Sequence, residues 1–105
     1  MSIPVALPDL PAALPGYPWG YFMTVTDDLR AHALAVPTVW RDGAFQLNGG
    51  NGTRAAAVSR PNVTMVFPSP SPGEYSLIVD GAATVHEDGI TFTPTWAVLH
   101  RPAIS

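Results

Sequence analysis

The chain contains neither cysteine nor lysine among its 105 residues. Without cysteine it can form no disulfide, no thiolate nucleophile and no cysteine-ligated metal site. The chain has five arginines and eight acidic residues, which give a net charge of −3. It therefore has no basic surface for nucleic acid. An apolar run of about 18 residues, as a membrane span needs, is also missing. The first residues lack the basic start and the apolar stretch of a signal peptide, and we expect a cytoplasmic protein.

Apolar residues are abundant by contrast, at 47 % of the chain. A domain of this size buries only roughly 60 to 70 % of the surface that its unfolded chain exposes. So high an apolar content in so short a chain indicates that a second copy or a ligand covers part of the surface. We therefore predict a homodimer.

Five prolines, at positions 4, 8, 11, 15 and 18, set the first eighteen residues apart from the rest. They exclude a long helix and an interior strand there. We predict an extended, proline-rich arm over residues 1–18, with one helical turn from Asp9 as N-cap to Leu14. A single domain over residues 19–105 follows it.

Beyond the arm, runs rich in β-branched and aromatic residues alternate with turn signals. The dipeptide Asp42-Gly43 is typical of a tight hairpin turn. The pattern predicts an all-β fold with one short helix, in which a mostly antiparallel sheet curls into a barrel to hide its edges. The six predicted strands are 19–26, 32–40, 44–48, 63–67, 75–85 and 90–99.

The stretch 49–61 combines a glycine-rich turn, Thr53-Arg54, an alanine-rich helical segment and a proline stop. Glycines at 49, 50 and 52 can adopt positive φ and turn backbone amides inward beside a helix N-terminus. Arg54 adds donors that match phosphate oxygens. This favours a phosphate site, although the same residues also suit an ordinary strand-to-helix connection capped by Thr53. The Walker and Rossmann spacings are absent.

Four blocks in order resemble the pyridoxamine 5′-phosphate oxidase-like, FMN-binding split-barrel family. They are an opening hairpin, a second hairpin beginning with Trp40, the Thr53-Arg54 helix with its following strand, and two C-terminal strands. Their ranges are 25–36, 40–47, 52–67, and 75–83 with 93–102. The resemblance implies a dimeric, six-stranded split β-barrel with flavin sites in the groove between the subunits.

The resemblance also implies which residues bind FMN. His32, Thr53 and Arg54 correspond to the phosphate-binding positions, and the backbone of Ala33, Leu34, Ala35 and Val36 to the edge along the isoalloxazine ring. Leu47 and Asn48 correspond to the approach to the phosphate. From the partner subunit, the candidates near the last strand are Trp96, His100 and Arg101.

This chain also departs from the family pattern. Leu29 stands where the family usually has glycine, Ala31 where it has proline, and Pro37 where a basic residue is common. With no lysine in the phosphate cluster, we expect a weak site that is compatible with partial or empty occupancy. A deazaflavin is the less favoured cofactor, because no basic residues are spare for its acidic tail.

The function implied by the resemblance is an FMN-dependent oxidoreductase acting on a small organic substrate, with the hard chemistry supplied by the cofactor. A non-catalytic flavin or deazaflavin carrier and a dimer with a decayed site are the alternatives. No residue stands in a pattern that marks a nucleophile, so the catalytic residues are unassigned. The three histidines are too widely spaced to form a recognisable zinc motif, and we predict no metal.

Overall fold

The computed structural model describes residues 1–103, and 50 % or so of the chain is strand, as the sequence pattern predicts. Three helical turns follow the first strand, and one longer helix, α2, lies between the fifth and sixth. The bounds are β1 Ser2–Pro4, 3-10 turn Leu7–Asp9, α1 Leu10–Ala13, 3-10 turn Leu14–Gly16, β2 Trp19–Val25, β3 Ala31–Pro37, β4 Trp40–Arg41, β5 Ala44–Leu47, α2 Asn51–Ser59, β6 Asn62–Phe67, β7 Ser76–His86 and β8 Gly89–His100.

Within residues 1–103, the strands form one eight-stranded sheet in the order β3-β2-β6-β7-β8-β5-β4, with β1 added alongside β8. Every recorded pair is antiparallel. The sheet curls into a split half-barrel, which confirms the predicted fold class. The six predicted strands are all present, but the predicted strand 32–40 is divided into β3 and the short β4. The short β1 is an addition that the sequence pattern did not predict.

Alternation of buried and more exposed residues in β2, β6 and most of β7 is typical of strands with one face on the core. In β2, for example, Gly20, Phe22 and Thr24 are buried while their neighbours are not. The inward side chains meet in a core built around four phenylalanines, of which Phe45 packs tilted against both Phe67 and Phe92. The four rings, each at most 1 % exposed, are Phe22, Phe45, Phe67 and Phe92.

One tight turn and one bulge position the neighbouring strands. The β4–β5 hairpin has positive φ at both Asp42 and Gly43, as its dipeptide predicts for a tight turn. The register of β7 and β8 shifts between Asp80 and Gly81, where Thr95 of β8 has no partner, so β8 carries a bulge there. A Cβ at Gly81 would lie 2.2 Å from the carbonyl oxygen of Thr93, so the close approach of the two strands requires glycine there.

The arm differs from the predicted extended segment. Ser2–Pro4 pairs with the end of β8, but residues 7–16 are helical throughout. The predicted helical turn is present as α1, with Asp9 as its N-cap residue, although the Asp9 side chain makes no capping hydrogen bond. Prolines at the first positions of each turn suit helical φ, and they let Leu10 and Leu14 become fully or almost fully buried. The arm therefore packs on its own subunit. The predicted 19–105 domain ends at residues 104 and 105, which lie outside the described residues.

Candidate functional site

A cleft of about 320 Å³ lies where the N-terminus of α2 meets the β2–β3 hairpin. We call it the α2 cleft. Strand pairing sets Thr24 opposite His32 and Phe22 opposite Leu34, which directs the side chains of His32 and Leu34 to the inner side of the sheet. The residues that line the cleft are Thr24, Thr26, His32, Leu34, Gly50, Gly52 and Thr53.

The start of α2 makes this cleft suitable for an anion. Gly50 is the N-cap residue and has no side chain that could satisfy the first amides. The amides at the start of any helix lack intrahelical partners, and here no N-cap side chain binds them. They also carry the positive end of the helix dipole. No acidic residue lies in this turn. The hydroxyl group of Thr53 and the imidazole of His32 add hydrogen-bonding capacity, whereas the Thr26 hydroxyl already donates to Asp28 and to the Arg30 carbonyl.

The predicted positive φ of the glycines is wrong. Gly50 has a φ of −71°, and among residues 1–103 the glycines with positive φ are Gly43 and Gly73. Glycine serves a steric purpose at position 49 instead, since a Cβ there would lie 2.9 Å from Cγ2 of Thr53. The available donors are thus the amides of the helix start, not those of a left-handed turn.

Arg54 follows Thr53 along the helix but lies apart from the α2 cleft. Its guanidinium donates a hydrogen bond to the backbone carbonyl of His86 in the β7–β8 turn, and it does not line the cleft. Consecutive helical residues project about 100° apart, so Thr53 and Arg54 serve different sides of the helix. The structure brings His32 and Thr53 together, and it directs Arg54 elsewhere.

The other predicted residues of β3 lie along an open edge of the sheet. Strand β3 pairs with β2 on one side and stands last in the strand order. Ala33 and Ala35 are exposed, Leu34 is half-buried and Val36 is buried. The free backbone groups of this edge can still donate and accept hydrogen bonds.

Leu47 and Asn48 lie at a second cavity, of about 250 Å³, between the end of β5 and the β7–β8 turn. We call it the hairpin cavity. Leu47 is buried and Asn48 exposed. Both line this cavity, and neither lines the α2 cleft.

The three residues predicted to act from a partner subunit lie on or just after β8. Trp96 is 53 % exposed. His100 Nδ1 is 2.9 Å from the hydroxyl of Ser2, and the Arg101 guanidinium lies 5.0 Å from the centre of the Tyr75 ring. None of them lines the α2 cleft of its own chain, so their role across a dimer stays a prediction.

The side of the sheet opposite the core is mostly apolar, and we call it the outer face. Cross-strand pairing aligns one row of residues across five strands, and none of these residues is buried. The row consists of Ala33, Met23, Thr64, Asp80 and Trp96. The neighbouring row is Ala35, Tyr21, Val66, Ile78 and Val98. The carboxylate of Asp80 is the one charge in these two rows, and it accepts a 2.6 Å hydrogen bond from Thr64.

Thr24 and Thr26 line the α2 cleft, although the sequence did not predict either of them as a site residue. Thr24 is 2 % exposed, the one buried polar residue named among the described residues, and Thr26 lines the same cleft. Two threonines at alternate positions at the end of an apolar strand are a signal that could have marked a polar inner end of the barrel.

Among residues 1–103, no group of three or more His, Asp or Glu side chains could hold a metal ion. No helix in the same range has the length and apolar character that a membrane crossing requires.

Comparison with known proteins gives relatives by sequence and by structure. The chain matches no family model. It is 37 % identical to uncharacterized proteins of Mycobacterium bovis and Mycobacterium tuberculosis, over 94 % of this chain and 82 % of each relative.

Solved structures with the same architecture include two bacterial proteins. A Listeria innocua protein, provisionally named a pyridoxamine 5′-phosphate oxidase, superimposes with a TM-score of 0.74 at 17 % identity, over 89 % of this chain and 96 % of that one. An FAD binding protein from Mycobacterium smegmatis has a TM-score of 0.66 at 20 % identity, over 96 % of this chain and 100 % of that one. The chain therefore belongs to one family with the two uncharacterized mycobacterial proteins, and it has the split-barrel fold of pyridoxamine 5′-phosphate oxidase-like proteins.

Proposed function

We propose that the protein binds a flavin, with its phosphate in the α2 cleft, and that it works as a flavin-dependent oxidoreductase. One observation carries this proposal: the unpaired amides of the α2 start, the Thr53 hydroxyl and the His32 imidazole converge on one cleft of about 320 Å³. A helix N-terminus with such neighbours suits a phosphate. The flavin names of the two structural neighbours support the choice of ligand.

The groups in the cleft fit the phosphate of FMN, the cofactor that the sequence resemblance implies. The amides of Gly52 and Thr53 would donate to its oxygens, and His32 would donate from its ring. The amide nitrogen of Arg54 lies 3.0 Å from the carbonyl oxygen of Gly50, so Arg54 belongs to the same first turn of α2. Its guanidinium would contribute positive charge from the outer side of this turn.

The ring system of the flavin would lie along the open edge of β3. The free backbone groups between Ala33 and Val36 would hydrogen-bond to its polar rim, while the small side chains of Ala33 and Ala35 permit close approach. When bound, the flavin supplies hydride or electron transfer. The protein residues bind it, orient it and exclude water from one side.

A second copy of the chain would complete the site. The outer face exposes Trp96, Trp19 and Val25 by 53, 42 and 38 %, and exposed apolar surface of this kind is typical of protein interfaces. Its two aligned rows contain one charge, that of Asp80, so two copies can face each other with little repulsion. In such a homodimer, Trp96, His100 and Arg101 would lie near the partner's flavin.

A non-catalytic flavin carrier is the second candidate. It is favoured by the lining of the α2 cleft, in which His32 is the one residue able to carry a charge. A deazaflavin is a weaker candidate on the same grounds, since no arginine lines this cleft. The substrate would be a small organic molecule, and a cytoplasmic location stays a prediction.

The direct test is titration of the purified protein with FMN, followed by flavin fluorescence and visible absorption. We expect saturable binding and bleaching of the yellow colour by a reductant. Thr53→Val should weaken binding about tenfold, as expected for one lost hydrogen bond to a charged group, whereas Thr84→Val, an exposed threonine of β7, should not.

The outcomes separate the candidates. Turnover of a nicotinamide donor by the coloured protein would support the oxidoreductase, and colour without turnover would support the carrier. Failure to bind any flavin would refute both.

A further inference from the structure

The hairpin cavity is concave in part because one position in its lining has no side chain. Gly89 pairs with His86 across β7 and β8, and directly opposed residues share a face of the sheet. A Cβ on Gly89 would lie 3.2 Å from Oδ1 of Asn48 and 3.1 Å from the carbonyl oxygen of Leu47. The missing side chain therefore leaves open space beside Asn48, in a cavity of about 250 Å³.

A chain of hydrogen bonds holds one wall of this cavity in place. Thr91 donates its hydroxyl proton to Gln46 Oε1 at 3.0 Å, so it accepts from His86 Nε2, also at 3.0 Å. The other end of the Gln46 side chain donates to the carbonyl oxygen of Arg41 at 3.2 Å. Contacts among β4, β5, β7 and β8 thus order the wall in advance, which lowers the cost of ordering it when a ligand binds.

Two charges of opposite sign line the cavity from opposite sides. Arg41 belongs to β4, and Asp88 lies in the turn between β7 and β8. Strand β5 separates β4 from β8, so at about 4.8 Å per strand spacing the two backbones stand about 10 Å apart. The ion pairs found within residues 1–103 involve other side chains. In that range, neither Arg41 nor Asp88 has a partner of opposite charge.

This arrangement suits a ligand that itself carries both signs of charge. A simple anion would be attracted by Arg41 and repelled by Asp88, and a simple cation would meet the reverse. A guanidinium can donate two hydrogen bonds to one carboxylate, and a carboxylate accepts hydrogen bonds from an ammonium group. An α-amino acid carries its carboxylate and its ammonium on one carbon, and the long, flexible arginine side chain can close the remaining distance.

We propose that the hairpin cavity binds a free α-amino acid, with its carboxylate on Arg41 and its ammonium on Asp88. The space that Gly89 leaves open receives the ligand, and the amide of Asn48 hydrogen-bonds to it. The hairpin cavity and the α2 cleft share no lining residue. The inference is therefore independent of the proposed flavin site.

The experiment follows amide NMR spectra of the full-length protein during titration with L-alanine, L-valine and L-glutamine. These share the zwitterion and differ in the side chain. We expect saturable shifts of the Asn48 and Gly89 signals with at least one of them. Isobutyrate and isopropylamine each replace one charged group of alanine by a methyl group. They should bind at least about tenfold more weakly than the best of the three, because each lacks one charge-assisted contact.

Two charge-removing variants distinguish a zwitterion site from an anion site. Arg41→Gln and Asp88→Asn should each weaken amino-acid binding about tenfold, and the same spectra show whether each variant is folded. Glu87→Gln removes an equal charge from the same turn, at a residue that does not line the cavity. This matched control should change the affinity less than about twofold, as for a screened surface charge.

Three results would overturn the inference. They are the absence of saturable shifts with all three amino acids in the wild type, binding of isobutyrate as tight as that of the amino acids, and tighter amino-acid binding by Asp88→Asn. The titration contains no flavin, so its failure leaves the proposed function standing. Failure of the separate FMN titration would in turn leave the amino-acid site standing.

Discussion

The guanidinium of Arg54 donates a hydrogen bond to the backbone carbonyl of His86, and this contact joins the first turn of α2 to the β7–β8 turn. Thr53, its neighbour in sequence, lines the α2 cleft instead. The two residues are adjacent in sequence, but Thr53 faces the cleft and Arg54 faces the β7–β8 turn.

Replacing Arg54 tests its part in ligand binding. Arg54 lies outside the α2 cleft, so its guanidinium would act on the phosphate as a nearby charge and not through a direct contact. Arg54→Ala should therefore weaken flavin binding by less than about 1 kcal/mol, as for other exposed charges. Stability should also fall by less than about 1 kcal/mol, because the contact with His86 is on the surface. Arg54→Lys keeps the charge and should retain part of the affinity. Flavin titration and urea unfolding measure the two effects, and an unchanged affinity in Arg54→Ala would exclude Arg54 from the site.

Leu29 is strained at the tip of the β2–β3 hairpin. Its φ is 62°, in the left-handed region that costs a residue with a Cβ about 1 kcal/mol or more, and its side chain is 73 % exposed, so little packing offsets that cost. Leu29→Gly should therefore stabilise the protein by about 1 kcal/mol in urea unfolding. Leu29→Ala, which keeps the Cβ, should gain nothing. A loss of stability in the glycine variant would show that the leucine side chain has a packing role.

Trp96 tests whether the outer face is covered by a second copy. Trp96→Asp should raise the dissociation constant of the dimer by at least about 30-fold, the size typical of a central aromatic contact, as measured by light scattering over a concentration series. Val58 is 66 % exposed on α2, away from this face, and Val58→Asp should leave the dimer intact. A wild type that is monomeric at micromolar concentration would refute the homodimer.

Tyr17 links the arm to the loop before β7. Its hydroxyl donates a 2.9 Å hydrogen bond to the Tyr75 carbonyl, and burial raises the pKa of its phenol above the ordinary 10.0. Below pH 10.0 the protonated phenol of Tyr17 makes its full contribution to the stability of the folded state. Above that pH the unfolded chain loses this proton first, so the contribution is lost as the pH rises through the pKa that Tyr17 has in the folded state.

Tyr17→Phe should cost about 1 kcal/mol near neutral pH and should flatten the loss of stability above pH 10.0. Tyr21→Phe, on the outer face, serves as the control. Chemical unfolding at a series of pH values gives both quantities. Identical alkaline profiles for the Tyr17→Phe variant and the wild type would contradict the assignment.

Local pattern was enough to predict most of the fold. Alternation in segments such as β2 and the dipeptide Asp42-Gly43 depend on neighbours in sequence, and the predicted strands and hairpin turn are present. The resemblance of the chain to split-barrel proteins is confirmed at the level of the fold by the two solved structures.

The site required information that no local pattern contains. His32 and Thr53 line one cleft because α2 packs against β2 and β2 pairs with β3, and the same pairing sets Thr24 opposite His32.

The sequence by itself determined the strands, their turns and the broad class of fold, because side-chain periodicity and turn chemistry act between near neighbours. Only the tertiary structure decided that Leu10 and Leu14 are buried in the core of their own subunit, that Gly50 starts α2 without positive φ, and that Arg54 lies apart from the cleft that Thr53 lines. Burial and hydrogen bonding between segments far apart in the chain decide these features, and they override the local preferences of the same residues.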